Sequence, residues 1–187
     1  MSLEALVAQP FQLLLELERM ARAAAAGGGA RESATEDWVG IGFRLGTESF
    51  VASRSDIREV LPVPEQVTRV PGAKSWLRGI TNVRGQLLTV VDLKAFLGSA
   101  PSMTNRHARM LMVASRDVPV ALIVDEVSGF RRFSEGDYED QPVATVIRCE
   151  RYIDGCFRRG ADAWPRFNLG SLLEDEQFQN AGQQLQA

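Results

Sequence analysis

The chain has 187 residues, 21 Lys plus Arg against 24 Asp plus Glu, and a formal charge of −3. Apolar residues make up 45% and charged residues 24%, the balance of a globular protein that buries a core unaided, so collagen-like and wholly disordered chains are excluded. A phosphate-binding surface normally shows as a basic excess, so general nucleic-acid binding is disfavoured.

The first predicted element is a helix. Pro10 suits a first helical turn, and Phe11 to Ala26 are helix formers with no β-branched residue. Gln12, Glu16, Arg19 and Ala23 share one narrow stripe, while Phe11, Met20 and the leucines cover the rest. Such a helix needs a face to lie against, either its own domain or a partner protein. Gly27-Gly28-Gly29 ends it, and residues 27–37 read as a flexible tether. The N-terminus lacks a basic n-region, and no run approaches the ~20 apolar residues of a membrane span. The compartment is therefore expected to be cytoplasmic, with no direct membrane insertion.

From Trp38 the pattern becomes extended. Ile41, Phe43 and Leu45 alternate with Gly42 and Arg44, Gly46-Thr47 turns, and Glu48 to Ala52 returns. Ser55 to Val60 carries Ile57 and Val60 three apart, as in one helical turn or a bent strand, and Pro62 and Pro64 end it. Ile80 to Val83 and Gln86 to Val91 form a hairpin about Arg84-Gly85. Asp92 then caps a short helix, Leu93 to Leu97, closed by Gly98. After a Ser/Pro/Asn-rich loop, Met110 to Ala114 and Val120 to Val124 are strands around Asp117-Val118-Pro119. Ile153 to Phe157 and Ala163 to Phe167 make a last hairpin, with Asn168 placed as Asp92 was.

These elements repeat weakly. Ile80 to Leu97 and Ile153 to Leu173 each read strand, glycine turn, strand, cap, Leu, then an apolar pair. Ile57-Arg58-Glu59-Val60 also echoes Val124-Asp125-Glu126-Val127. Two small β-barrels side by side are expected; one irregular sandwich of about eight to ten strands is the competing architecture.

The residues carry no catalytic or metal-binding motif. There is one histidine, His107, in a polar loop, and the two cysteines, Cys149 and Cys156, are not spaced as CxxC. Buried, reduced thiols are expected rather than a disulfide. Asp125-Glu126 and the Glu150/Asp162 pair are read as solvated surface. Arg131-Arg132 with Phe130 and Phe133, and Arg158-Arg159 with Phe157, interleave charge and rings as stacking surfaces do. A small-barrel nucleic-acid binder is therefore the rival from another class. Arg84 at its hairpin tip, between Gly79 and Gly85, and Glu59 among apolar neighbours mark a second surface. Each is either a solvated charge or half of a directional ion pair.

Val70 to Leu93, through Trp76-Leu-Arg-Gly-Ile-Thr-Asn-Val-Arg-Gly85, resembles the signature of CheW-like coupling domains, as does Leu122-Ile-Val-Asp-Glu-Val127. Pro10 to Leu14, Trp38 to Gly46 and Ile153 to Phe157 resemble the branch of that family serving type IV pilus (twitching motility) chemosensory arrays. The resemblance implies a mainly β fold of two five-stranded SH3-like barrels sharing an apolar seam. The CheW-like domain would span 38–178, with a first barrel over about 46–100, a second over about 101–167, and a disordered tail over 179–187. It implies a non-catalytic adaptor, without cofactor or metal, between a methyl-accepting chemoreceptor's cytoplasmic tip (PilJ-like) and the regulatory domain of a CheA-type histidine kinase (ChpA-like). A flagellar-type coupling protein is the alternative within the family. Glu59 and Arg84 would form a surface pair, and the contact surface would map onto Ile57, Gly79, Val83, Arg84, Gly85 and Phe130. Two departures from the family pattern stand out. Asn168 replaces the usual aspartate, and Pro165 lies within the strand before it, which predicts a distorted hairpin.

Overall fold

The computed structural model describes residues 37–103, 105–115, 119–141, 143–160 and 162–181. The expected N-terminal helix and most of the tether lie outside these residues. The strands are β1 (Trp38–Leu45), β2 (Glu48–Ser53), β3 (Ile57–Pro62), β4 (Leu77–Val83), β5 (Gln86–Asp92), β6 (Arg109–Val113), β7 (Val120–Val124), β8 (Glu126–Phe133), β9 (Tyr138–Glu139), β10 (Ile153–Arg159) and β11 (Asp162–Phe167). Short helices α1 (Leu93–Phe96), α2 (Leu169–Glu174) and α3 (Glu176–Gln179) follow β5 and β11. Ser55 to Val60 combines both expected forms: a 3-10 turn at Arg54–Asp56 runs straight into β3.

The strands form a five-stranded sheet, β3-β6-β7-β5-β4, and a six-stranded sheet, β8-β1-β2-β11-β10-β9. Membership does not follow the chain. Parallel pairing of β5 with β7 draws β6 and β7 into the sheet of β3 to β5, and a parallel contact of β2 with β11 joins β1 and β2 to the C-terminal strands.

The five-stranded sheet is apolar on both faces, so Val120 to Val124 is a continuous buried run rather than an alternating one. Met110, Met112, Ala121, Ile123, Leu88 and Val90 enclose one small core. Leu111, Val113, Leu122, Val124 and Val91 face the other way, into a larger core that they share with Phe43, Phe50, Tyr152 and Phe167 of the six-stranded side. That shared core is the expected apolar seam. A third cluster, Val51, Phe133 and Phe157, packs with Trp38, Tyr138 and Trp164 on the far side of the six-stranded sheet.

The internal repeat is present down to single hydrogen bonds. Asp92 caps α1 by accepting from the Ala95 amide at 3.1 Å, and Asn168 caps α2 by accepting from Ser171 at 3.0 Å. The backbone amide of Asp92 donates to the Trp76 carbonyl, and that of Asn168 to the Tyr152 carbonyl. Each of those rings lies just ahead of its hairpin. Both hairpins slip register after their first residue, at Leu77/Gly79 and Ile153/Cys156, about a glycine at φ 138° (Gly79) and 151° (Gly155). The first hairpin makes this slip without a proline, so the bulge ahead of Cys156 belongs to the repeat, and Pro165 itself stands in register opposite Cys156.

Cys149 and Cys156 are free and buried, as expected. Burial pushes the Cys149 thiol up to about 11 and raises that of Cys156 as well.

Candidate functional site

The β4–β5 hairpin turns through two residues at positive φ, Arg84 at 52° and Gly85 at 83°. A two-residue turn between right-twisted strands requires such angles, which glycine adopts freely and arginine does not. Arg84 is the one described non-glycine residue with positive φ. The Asn82 carboxamide braces the turn by accepting from the Gly85 amide at 2.8 Å. From this position Nη1 of Arg84 reaches both carboxylate oxygens of Glu59, at 3.0 and 3.1 Å. Beside it, Arg58 donates to the Gln86 side chain at 3.3 Å.

β3 and β4 are the two outer strands of their sheet, so these side-chain contacts span a curl of the sheet, from β3 to the β4–β5 turn. The Arg84 side chain is 75% exposed, which limits the pair to about 0–1 kcal/mol of stability. Its consequence is a fixed charge pattern on the outside of the curl. The expected Glu59–Arg84 pair is therefore formed, with one nitrogen bridging both oxygens rather than a two-nitrogen fork.

Val83 lies half-buried against the small core, while Gly85 is exposed with open space around it. Phe130, on β8, is 65% exposed, with the Arg54 guanidinium 6.0 Å from its ring centre. Two expectations need correction. Ile57 is 1% exposed, because β3 pairs it with Val113 and turns it into the shared core. It cannot form a surface patch with Phe130. Gly79 is buried too, and the surface that approaches it closely is the chain's own: a Cβ there would collide with the Thr68 carbonyl, whose segment bridges to Ile80.

Leu87, 63% exposed on the same hairpin, was not among the expected contacts. The signal was available: Leu87 and Leu88 are consecutive on a strand, so only one can face inward. Leu87, Ile80, Asn82 and Pro64 line a cavity of about 620 Å³ beside the turn.

The acidic pair at 125–126 is not mere solvated surface. Asp125 is buried, takes Lys94 Nζ at 3.0 and 3.1 Å, and accepts from the Gly46 amide. Glu126 pairs with Arg44 at 2.8 Å, and that hydrogen bond and charge hold its carboxyl below the usual glutamate value. Both carboxylates are committed to joining β7 and β8 to their neighbours. Two of the three rings proposed for base stacking are committed as well, while Phe130 stays exposed. Phe133 and Phe157 are buried and stack on each other at 4.5 Å, and Arg158 and Arg159 pair with Glu139 and Asp137.

The CheW-like domain model matches residues 39–177. The chain belongs to the CheW-like family. It is 38% identical over 172 residues to Protein PilI of Pseudomonas aeruginosa, covering 92% of this chain and 96% of that one. It is 32% identical over 117 residues to the chemotaxis protein CheW of Bacillus subtilis, covering 63% of this chain and 75% of its relative. A crystal structure of the scaffolding protein TtCheW from Thermoanaerobacter tengcongensis superposes with a TM-score of 0.65 at 25% identity, covering 75% of this chain and 95% of that chain. The two-sheet architecture is thus that of a CheW-like scaffold.

Proposed function

We propose that this CheW-like chain is the coupling adaptor of a type IV pilus chemosensory array. It would join the cytoplasmic tip of a PilJ-like methyl-accepting receptor to the regulatory domain of a ChpA-like, CheA-type histidine kinase. The observation that carries the pilus assignment is the near end-to-end similarity to Protein PilI, where the chemotaxis protein CheW of Bacillus subtilis aligns over less of the chain. On this reading the protein is not an enzyme: it acts in the cytoplasm, at the inner-membrane receptor array, by placing surfaces. Among the described residues no helix is long and apolar enough to cross a membrane.

The docking face proposed is the β4–β5 hairpin with Glu59: Val83, Arg84 and Gly85, joined by Leu87. A fixed ion pair rimming exposed apolar residues gives orientation and partner choice more than raw affinity. Phe130, on the other sheet, would serve a second contact. Two different contact faces let subunits extend a ring rather than close a dimer.

The test is reconstitution. Vesicles carrying the PilJ-like receptor are sedimented with the ChpA-like kinase, with and without the chain. Kinase that pellets only when the chain is present supports the reading; kinase that pellets equally without it contradicts the adaptor role. A flagellar-type receptor and kinase pair, recruited better than the pilus pair, would shift the assignment to the flagellar alternative.

A further inference from the structure

We propose that a cleft on the outer strand β8 receives a short acidic peptide segment from a protein partner. The cleft, of about 350 Å³, is lined by Phe130, Arg131, Arg132, Arg159 and Trp164, with Asp162 as its one carboxylate. Its charge is unusual for the sheet that holds it. Arg44, Arg158, Arg159 and Arg166 each pair with a carboxylate within 3.2 Å. Arg131 and Arg132 have no such partner among the described residues.

Arg131 is also held in place. Its guanidinium lies 4.9 Å from the Trp164 ring centre, and its Nε is buried with no hydrogen-bond acceptor. A planar guanidinium fixed on a ring presents its edge for bidentate capture of a carboxylate, with little side-chain freedom left to lose. Phe130 at the rim, 65% exposed, adds apolar contact beside the cations. An acidic residue next to an aliphatic one is the ligand this arrangement fits. A nucleic-acid strand fits less well: Phe133 and Phe157 are stacked on each other, Arg131 covers Trp164, and the chain carries −3 overall. The site lies on different strands from the Glu59–Arg84 hairpin; it shares Phe130 with the second contact proposed above, but the peptide binding itself does not rest on the kinase reading.

The test is fluorescence anisotropy of the full chain with a labelled hexapeptide of leucine and glutamate. A glutamine-for-glutamate peptide, inorganic phosphate and a short single-stranded DNA serve as the other probes. The acidic peptide is expected to bind and to weaken as salt rises from about 0.02 to about 0.3 M. Arg131→Gln and Arg132→Glu are each expected to weaken it about tenfold or more, and the glutamine peptide not to bind. Arg132 is exposed and pairs with no carboxylate among the described residues, so its variant keeps the test clear of misfolding. Arg84→Glu should leave the affinity unchanged. The proposal is overturned by no peptide binding at low salt, by binding indifferent to both arginine variants, by displacement with equimolar phosphate, or by tighter binding of the DNA.

Discussion

Asn168 donates from Nδ2 to the Asp154 carboxylate at 3.2 Å, at the place where the first hairpin sets Arg78 against the Asp92 carboxylate at 3.5 Å. Arg78 and Asp154 are each the second residue of their hairpin, and Asp92 and Asn168 are the two helix caps. The polarity is exchanged between the halves. An aspartate at 168 would face a carboxylate already present at 154, so the amide is the residue that fits. The second hairpin completes its charge balance with Arg166, 2.9 Å from Asp154.

Asn168→Asp should therefore destabilise the domain by about 1–2 kcal/mol, although aspartate caps a helix as well as asparagine does. Asp92→Asn should also cost stability, because Arg78 loses its counter-charge. Urea unfolding monitored by circular dichroism checks both; a neutral or stabilising Asn168→Asp would contradict the exchange.

Three glycines at positive φ separate packing from backbone strain. A Cβ at Gly79 meets the Thr68 backbone, and one at Gly155 meets the Tyr138 ring, whereas Gly85 faces open space. Gly79→Ala should cost about 3 kcal/mol or more, since the Thr68 backbone cannot step aside, and Gly155→Ala about 2–3 kcal/mol, since the outer end of the Tyr138 ring must shift. Gly85→Ala, strained only in its backbone, should cost about 1–2 kcal/mol. Equal losses at all three in the same urea assay would show that collision plays no part.

Ile57 belongs to the core, which changes what its substitution does. Ile57→Asp places a carboxylate among Leu111, Val113 and Phe50 and should cost about 4 kcal/mol or more, abolishing a cooperative melt. Ile57→Val should cost about 0.5–1.5 kcal/mol. A fully folded Ile57→Asp variant by differential scanning calorimetry would return this residue to the surface.

The C-terminal helix is held by a latch that titrates. Burial works to raise the Asp175 carboxyl, but the Tyr152 hydroxyl, the Gln177 and Phe178 amides and the Arg151 guanidinium outweigh it and hold it below the ordinary aspartate value. A depressed native carboxyl contributes stability that is present above its unfolded pKa, about 3.9, and is lost as pH falls through the native value. Phe178 stacks on Trp76, and the Ala181 carbonyl accepts from Lys74. Lowering pH below about 4 should accordingly speed amide exchange at Lys74 relative to core amides. Asp175→Asn should show fast exchange already at neutral pH. Exchange at Lys74 that is the same in both proteins would sink the latch.

Local pattern carried the strands, turns and caps, because alternation, Gly turns and an Asp or Asn before Leu act over a few residues. It did not carry β8. There β8 carries an extra residue, Ser128, opposite the Gly42–Phe43 step of β1, and Glu126 to Phe133 shows no clean alternation of polar and apolar residues. Nor could it assign strands to sheets, since β5–β7 and β2–β11 are contacts across long stretches of chain. At the site, Glu59 and Arg84 were legible because charge at a hairpin tip and among apolar neighbours is conspicuous. The burial of Ile57 was hidden because β6, about 55 residues onward, decides which way β3 faces. The role of Gly79 was hidden because its neighbour, Thr68, lies in an irregular segment with no signal of its own.

The most direct test of the adaptor account is calorimetric titration of the intact chain with the regulatory domain of its cognate CheA-type kinase. Glu59→Arg, Arg84→Glu and the double exchange are run beside the unmodified protein. The account predicts roughly tenfold weaker binding in each single variant, at unchanged melting temperature, and partial recovery in the double, because the ion pair orients the docking face. Undiminished affinity in both single variants, with all proteins folded, would contradict it.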